Sequence, residues 1–456
     1  MTALTVTELL ERLADVDDRG LRFEETELSW REHVAQSRRR AALLRDLLDG
    51  PAPKHIGILM DNVPEFSLLL GAAAFSGSVV VGLNTTRRGA ALARDIALAD
   101  CRVVFTEAAH ASLLDGVDLG DVRVIDVDSP EWTAMLAPFA DTVGETASPS
   151  PDDLFMLIFT SGTSGDPKAV RCTHRKFTDP ATMLATRFGL GPDDTVYVSM
   201  PLFHSNAMIA GWAIGLAARG SIALRRRFSA SGFLPDVRRY GVTFANYVGK
   251  PLSYVVATPE QPDDHDNPLR IVYGNEASAA DVAEFTRRFG ARVVDGFGST
   301  EGGIAIASAP DAPAGALGRL PEGIEILDPE TGRRCPPAVF DANGRITNAD
   351  AATGEVNVAA VFAYGGLRDF DLAVAFARFL DAQTDLGPKQ MPGLIRVCSE
   401  FPRTATFKVL TRSLAAERWS CSDPVWLRER GDSEFRLLSD ELVHLLEPAS
   451  VGTSAR

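Results

Sequence analysis

The order of elements along the chain predicts an α/β fold. It comprises a large N-terminal domain of parallel α/β sheets plus a small β-rich part, followed by a small α+β C-terminal domain. Three observations lead there. Short Val/Ile-rich runs alternate with amphipathic helical stretches, the pattern of parallel sheets with crossover helices. The chain has 456 residues, too many for one small core. Near Asp328 the texture changes to closely spaced turns, with DPETG at Asp328–Gly332, Pro336–Pro337 and ANG at Ala342–Gly344.

The apolar runs that read as strands are His55–Met60, Ser78–Gly82, Arg102–Thr106, Val122–Val127, Leu154–Phe159, Thr195–Ser199 and Ser221–Leu224. Arg87–Ala99 and Ala279–Phe289 read as amphipathic helices. The uncharged stretch Phe66–Leu83, FSLLLGAAAFSGSVVVGL, reaches the length of a membrane span. Its Leu/Ala half suits a buried helix and its Val half a buried strand, with Gly77 as punctuation, so helix plus strand is the expectation. Further on, Phe370–Leu380 reads as a helix, Leu394–Cys398 as a strand and Leu410–Arg418 as a helix. A boundary at Asp350–Glu355 gives domains 1–350 and 356–456, with a Ser/Gly/Thr-rich tail after Pro448 expected to be disordered.

The formal charge of −15 argues against a nucleic-acid partner. The five cysteines, Cys101, Cys172, Cys335, Cys398 and Cys421, form no C-x-x-C pair. Neither a disulfide framework nor a zinc site is indicated, and a reducing compartment fits. The first residues lack the apolar core of a secretory signal.

The most informative string is Phe159–Lys168, FTSGTSGDPK, directly after a predicted strand. Glycines let backbone approach an anion, hydroxyls add donors and a lysine adds charge, which together suit phosphate. It is not a Walker A loop, because Lys168 follows Pro167 and precedes Ala169. Four further strings follow in order: PLFHS at Pro201–Ser205, YGNE at Tyr273–Glu276, DGFGSTE at Asp295–Glu301 and PRTATFK at Pro402–Lys408.

In these strings and their order the chain resembles the adenylate-forming acyl-CoA synthetases, in wording most of all actinobacterial fatty-acid–CoA ligases. The resemblance implies activation of a fatty acid by ATP to acyl-AMP, then transfer to CoA. ATP, Mg²⁺ and CoA are the implied cofactors and co-substrates. Thr160, Ser161, Gly162, Thr163, Ser164, Gly165 and Lys168 would hold the ATP phosphates. Gly274, Asn275, Glu276, Phe297 and Gly298 would hold adenine, and Thr300 the α-phosphate. Glu301 would be the Mg²⁺ ligand, His204 would stand near the substrate carboxylate, and Lys408 would bridge carboxylate and α-phosphate. Asn206–Trp212 and Tyr247–Gly249 would line the acyl pocket. A cytoplasmic protein is implied, peripheral membrane attachment allowed, with an acyl-carrier protein or a second copy as candidate partners. ATP and CoA are themselves anions, so their sites need local donors against an acidic surface. Taken singly, His204 and Phe297 read as core, Glu301 as a solvated carboxylate and Lys408 as an exposed helix-start lysine. Only the shared order gives them roles.

The chain also departs from the family. Phe407 replaces the usual glycine before the lysine. The Gly-Asp ribose motif and the Gly-Arg-x-x-Asp hinge are not found, and Glu301 and Lys408 are closer in sequence than the family's interval. ATGEVNVAA at Ala352–Ala360 runs a strand before the ribose motif into one from late in the C-terminal domain. An internal deletion accounts for this and implies a truncated C-terminal domain over 356–456. It predicts weakened ATP binding and a lost or slowed CoA step. Two alternatives follow: formation of acyl-AMP alone, or a nucleotide- or acyl-binding protein without turnover. A serine hydrolase is excluded because GFGST lacks G-x-S-x-G spacing.

Overall fold

The computed structural model describes residues 4–140, 146–161, 167–298, 300, 305–307, 336, 339, 347, 360–363, 394–398, 417, 421, 423–428 and 435–439. They fall into two compact units. In the first, the strands are β1 Gly20–Phe23, β2 Thr26–Ser29, β3 His55–Leu59, β4 Val79–Gly82, β5 Val103–Thr106, β6 Arg123–Asp126 and β7 Leu154–Ser161. They continue with β8 Pro167–Thr173, β9 Thr195–Val198, β10 Ser221–Leu224, β11 Phe244–Val248, β12 Ile271–Asn275, β13 Arg292–Gly298 and β14 Ala305–Ala307.

These form a six-stranded sheet ordered β6-β5-β3-β4-β7-β8 and an eight-stranded sheet ordered β14-β13-β12-β11-β9-β10-β1-β2. Both are parallel except at edge strands: β8 in the first, and β2 and β14 in the second. Every strand run read from the sequence is present within a residue or two of its ends. The two amphipathic helices read from the sequence are present at Gly89–Leu98 and Ala279–Phe289.

The uncharged stretch splits as its composition dictates. Pro64–Ser76 is a helix buried from Phe66 to Ser76, Gly77 takes the left-handed conformation at φ 71, and β4 follows. Left-handed backbone is where glycine is favoured over any residue with a Cβ. No described helix is long and apolar enough to cross a membrane. This helix joins Ile56, Ile58 and Phe105 of the six-stranded sheet to Val196, Val198 and Phe244 of the eight-stranded one in a single apolar cluster. Burying each such side chain stabilises by roughly 1.5–3 kcal/mol. The same cluster includes Trp212, in a π-helical turn over Met208–Ala213 that has no counterpart in the sequence reading.

The second unit contains β15 Ala360–Ala363, β16 Leu394–Cys398, β17 Val425–Leu427 and β18 Arg436–Leu437, in one sheet of that order. β15 and β16 are parallel, the others antiparallel. The strand expected at Leu394–Cys398 is β16. The turns at 328–344 lie outside the described residues but for 336 and 339, as do the helix at Phe370–Leu380 and, but for Glu417, the helix at Leu410–Arg418.

Candidate functional site

In an open parallel sheet, ligands bind outside the carboxyl ends of the strands, where the strand order reverses. In the eight-stranded sheet the chain runs from β9 to β10 on one side, then returns to place β11, β12 and β13 on the other. The reversal lies at β9 and β11, and the sequence-predicted residues from His204 to Thr300 fall at this edge.

His204 and Ser205 follow β9. The His204 N–H donates to the Pro201 carbonyl at 3.0 Å and its carbonyl accepts from Met208 N–H at 3.1 Å. Its ring lies 4.6 Å from that of Phe203. The loop is fixed from the other sheet: Asn62, after β3, donates through Nδ2 to the Met200 carbonyl and accepts from Leu202 N–H, each at 2.9 Å. Across the edge, Ser205 Oγ and Thr300 Oγ1 are 2.8 Å apart. That bond joins the loop after β9 to the segment after β13, bringing His204 and Thr300 to one place.

The YGNE segment owes its glycine to a crossing. Tyr247, Gly274 and Asp295 lie in one row across β11, β12 and β13. The Tyr247 ring passes over Gly274, and its hydroxyl donates to Asp295 Oδ1 at 2.5 Å. A Cβ on Gly274 would stand 2.1 Å from the Tyr247 carbonyl oxygen and 2.6 Å from its ring. The same carboxylate accepts backbone N–H bonds from Ala277 and Glu276, and Glu276 has φ 70. A non-glycine residue there is strained and persists only where its surroundings hold it. Burial pushes the Asp295 carboxyl up, against the pull of these donors. Burial, reinforced by Asp295, also pushes the Tyr247 phenol well above its ordinary value, so its proton stays available for the bond. Asn275 ends β12, its carbonyl accepting from Gly249 N–H at 2.9 Å. Gly298 is exposed at the end of β13, and Phe297 pairs with Ile306 of β14.

The two ends of the phosphate string lie on paired antiparallel strands of the other sheet. β7 continues through Thr160 and Ser161, two residues beyond the predicted strand. β8 returns antiparallel with Thr160 opposite Lys168 and Ser161 opposite Pro167. Lys168 is exposed. The hairpin therefore sets hydroxyl and cation on facing strands. Gly162, Thr163, Ser164, Gly165, Glu301 and Lys408 lie outside the described residues. Asn62, Tyr247 and Asp295 are positioning residues to which the sequence reading gave no such role. For Asp295 the available signal was its place at the head of DGFGSTE.

A second polar cluster lies beside a cavity of about 830 Å³. Asp61, Glu107 and His110 are buried, with His110 Nε2 3.1 Å from Asp61 Oδ1 and Asp61 N–H donating to Glu107 at 2.7 Å. Their ligand atoms lie close enough to hold a cation. However, Arg226 Nη1 already donates to Glu107 at 2.5 Å and Arg227 Nε to Asp61 at 2.8 Å. The cluster is a charge-balanced tie between the sheets.

Comparison with known proteins adds a family match and several relatives. A family model described as AMP-binding enzyme matches residues 11–352. A medium/long-chain-fatty-acid–CoA ligase of Mycobacterium marinum is 48% identical over 497 residues, covering 92% of this chain and 98% of that protein. A steroid-22-oyl-CoA synthetase of Rhodococcus jostii is 38% identical over 534 residues, covering 96% of each. Among solved structures, an anthranilate CoA ligase in complex with anthranoyl-AMP matches with TM-score 0.76 at 17% identity, over 91% of this chain and 97% of that one. ATP-bound MatB from Rhodopseudomonas palustris matches with TM-score 0.75 at 19% identity, over 91% and 99%. At such identities the structures speak for the fold alone.

Proposed function

This chain belongs to the AMP-binding enzyme family, and from that premise we propose that it is an acid–CoA ligase that activates a fatty or related carboxylic acid as acyl-AMP. The acid carboxylate oxygen attacks the α-phosphorus of ATP, the bond to pyrophosphate breaks, and CoA sulfur then displaces AMP from the acyl carbon. Negative charge gathers on the phosphate oxygens in the first step, so fixed donors must face them. The observation that carries the reading is the Ser205–Thr300 bond. It sets a hydroxyl pair beside His204, at the edge where Gly274–Glu276 and Gly298 would receive adenine.

In this reading Thr160, Ser161 and Lys168 hold the β- and γ-phosphates, joined by Gly162, Thr163, Ser164 and Gly165. Thr300 donates to the α-phosphate, and Phe297 supplies a face to adenine. Glu301 would hold Mg²⁺, whose chemistry is neutralisation of the phosphates, since hard cations prefer carboxylate oxygen. Lys408 would bridge carboxylate and α-phosphate. The domains would be 1–350 and 356–456.

A second reading, adenylation without efficient thioester formation, has support of its own. The alignments to the two relatives run over 497 and 534 positions, more than the 456 residues of this chain, while covering nearly all of it. That supports residues missing inside the chain, where the ribose and hinge motifs were not found. A missing hinge removes the domain rotation that follows adenylation. An acyl-carrier protein or a second copy would then be the natural acceptor or complement. Mass spectrometry of a reaction with ATP, Mg²⁺, CoA and a fatty-acid panel separates the readings. Acyl-CoA at a rate matching pyrophosphate release supports the full ligase. Pyrophosphate release with acyl-AMP and little acyl-CoA supports the shorter reaction. ATP binding without either product defeats both.

A further inference from the structure

We propose that the acyl pocket selects acids carrying a hydrogen-bond donor, such as a hydroxyl, near their carboxyl end, and that Asn246 reads it. The inference rests on the adenylation reading above and sharpens its substrate class.

Asn246 lies on β11, on the face opposite Tyr247, turned toward the segment that follows His204 and Ser205. It is 3% exposed. Its Nδ2 donates to Asn206 Oδ1 at 2.6 Å, and Asn206 Nδ2 donates to the Tyr247 carbonyl at 3.4 Å. This relay orients both amides: Asn206 must present its oxygen to Asn246, which leaves Asn246 Oδ1 as the remaining acceptor. That oxygen is buried and has no hydrogen-bond partner among the described residues. Buried acceptors are nearly always paired, so one left over needs a reason. Here the reason is placement. Asn206 directly follows Ser205, whose hydroxyl meets Thr300. In the proposed acyl pocket, an acid with its carboxylate beside that hydroxyl pair would run past Asn206.

The wall opposite is the π-helical turn Met208–Ala213, a distortion that often marks functional sites. Its Gly211 faces the amide: a Cβ there would stand 3.4 Å from Asn246 Oδ1 and 3.1 Å from Val198. Glycine at this position places no side chain between the turn and that oxygen. A plain alkyl chain would leave the acceptor unsatisfied, whereas a substrate hydroxyl would satisfy it. A site that hydrogen-bonds a substrate hydroxyl discriminates against the analogue lacking it.

The test compares straight-chain alkanoic acids with their 2-, 3-, 4- and 5-hydroxy counterparts. It uses ATP–pyrophosphate exchange and, separately, calorimetric binding of each acid to the ATP-free chain. Wild type should favour at least one hydroxy isomer by roughly three- to tenfold, the worth of one hydrogen bond. Asn246→Leu should abolish that preference while still handling the plain acid. Gly211→Ala, which keeps the amide but sets a methyl 3.4 Å from its oxygen, should reduce it. Equal handling of every pair by wild type, or a preference that survives Asn246→Leu, overturns the proposal. If no acid supports exchange, the adenylation reading fails, while the calorimetric comparison still decides whether Asn246 reads a donor.

Discussion

Two successive residues of β11 face opposite sides of the same sheet and meet opposite fates. Tyr247 crosses Gly274 to Asp295, and that carboxylate is satisfied by the phenol and two backbone N–H groups. Asn246 has its donor engaged and its acceptor idle. A saturated polar group fixes a frame, because breaking any bond leaves a buried partner unpaired. An idle acceptor lowers stability unless something arrives to use it. The first face therefore reads as scaffold for the strained turn at Glu276, and the second as a surface that waits for a ligand.

The strongest way to break the first face is Gly274→Ala. The added methyl cannot share space with the Tyr247 carbonyl, so β11 and β12 must part or the ring must leave Asp295. Overpacking of this kind costs about 1–3 kcal/mol or more. Because the displaced turn is proposed to hold adenine, exchange should fall about a hundredfold, as for misplacement by about an ångström. Denaturant melts and exchange rates on the same preparation measure both effects.

Acid tests what holds the second face. The Trp212 Nε1–H donates to Ser67 Oγ, which pairs with His33 Nε2, both at 2.8 Å. Burial, with Arg40 nearby, lowers the His33 pKa to about 3. His174, which accepts from Val6 N–H at 3.2 Å, is lowered to about 4 by burial, against Asp153 and Glu8. Both folded values lie below the unfolded 6.5, so the fold favours the neutral rings. The stability they confer is complete above pH 6.5 and is lost as pH falls through 6.5 toward 4 and then 3. Each unit of difference is worth about 1.4 kcal/mol. Urea melts at pH 7.5, 6, 5 and 4 should show this decline, and His174→Gln should flatten its upper part.

Tyr247→Phe removes one donor and leaves Asp295 two. A loss of about 1–2 kcal/mol is expected, with the Asp295 carboxyl rising further, detectable by carbon-13 NMR titration. Smallest of all should be the stability effect of Asn246→Leu. Removing the idle acceptor is favourable, while Asn206 Oδ1, only half-buried, loses its donor; the two effects offset, so its melt should shift by less than about 1 kcal/mol. A large loss would mean that the amide is part of the frame after all.

The contrast between the two faces was invisible in sequence. The strands announced themselves through Val/Ile runs, and Gly77 marked the break in Phe66–Leu83, because burial and backbone freedom are properties of residue type. Gly274 was picked from its motif, but its reason, the passage of Tyr247, required the register of β11 on β12. The β7–β8 hairpin was half legible: the run to Phe159 showed the outgoing strand, and the return strand was hidden behind a string that reads as loop. Asn62 and Asn246 carry no sequence signal, since an asparagine's role depends on which carbonyl or amide the fold brings opposite it. The π-helical turn at Met208–Ala213 has the same composition as an ordinary buried helix.

Acid-dependent ATP–pyrophosphate exchange, measured on the wild-type chain beside Glu301→Ala and Lys408→Ala, tests the central claim most directly. The account predicts exchange that requires the acid, is present in wild type and is lost in both variants. A folded chain that binds ATP yet shows no exchange with any acid would contradict it.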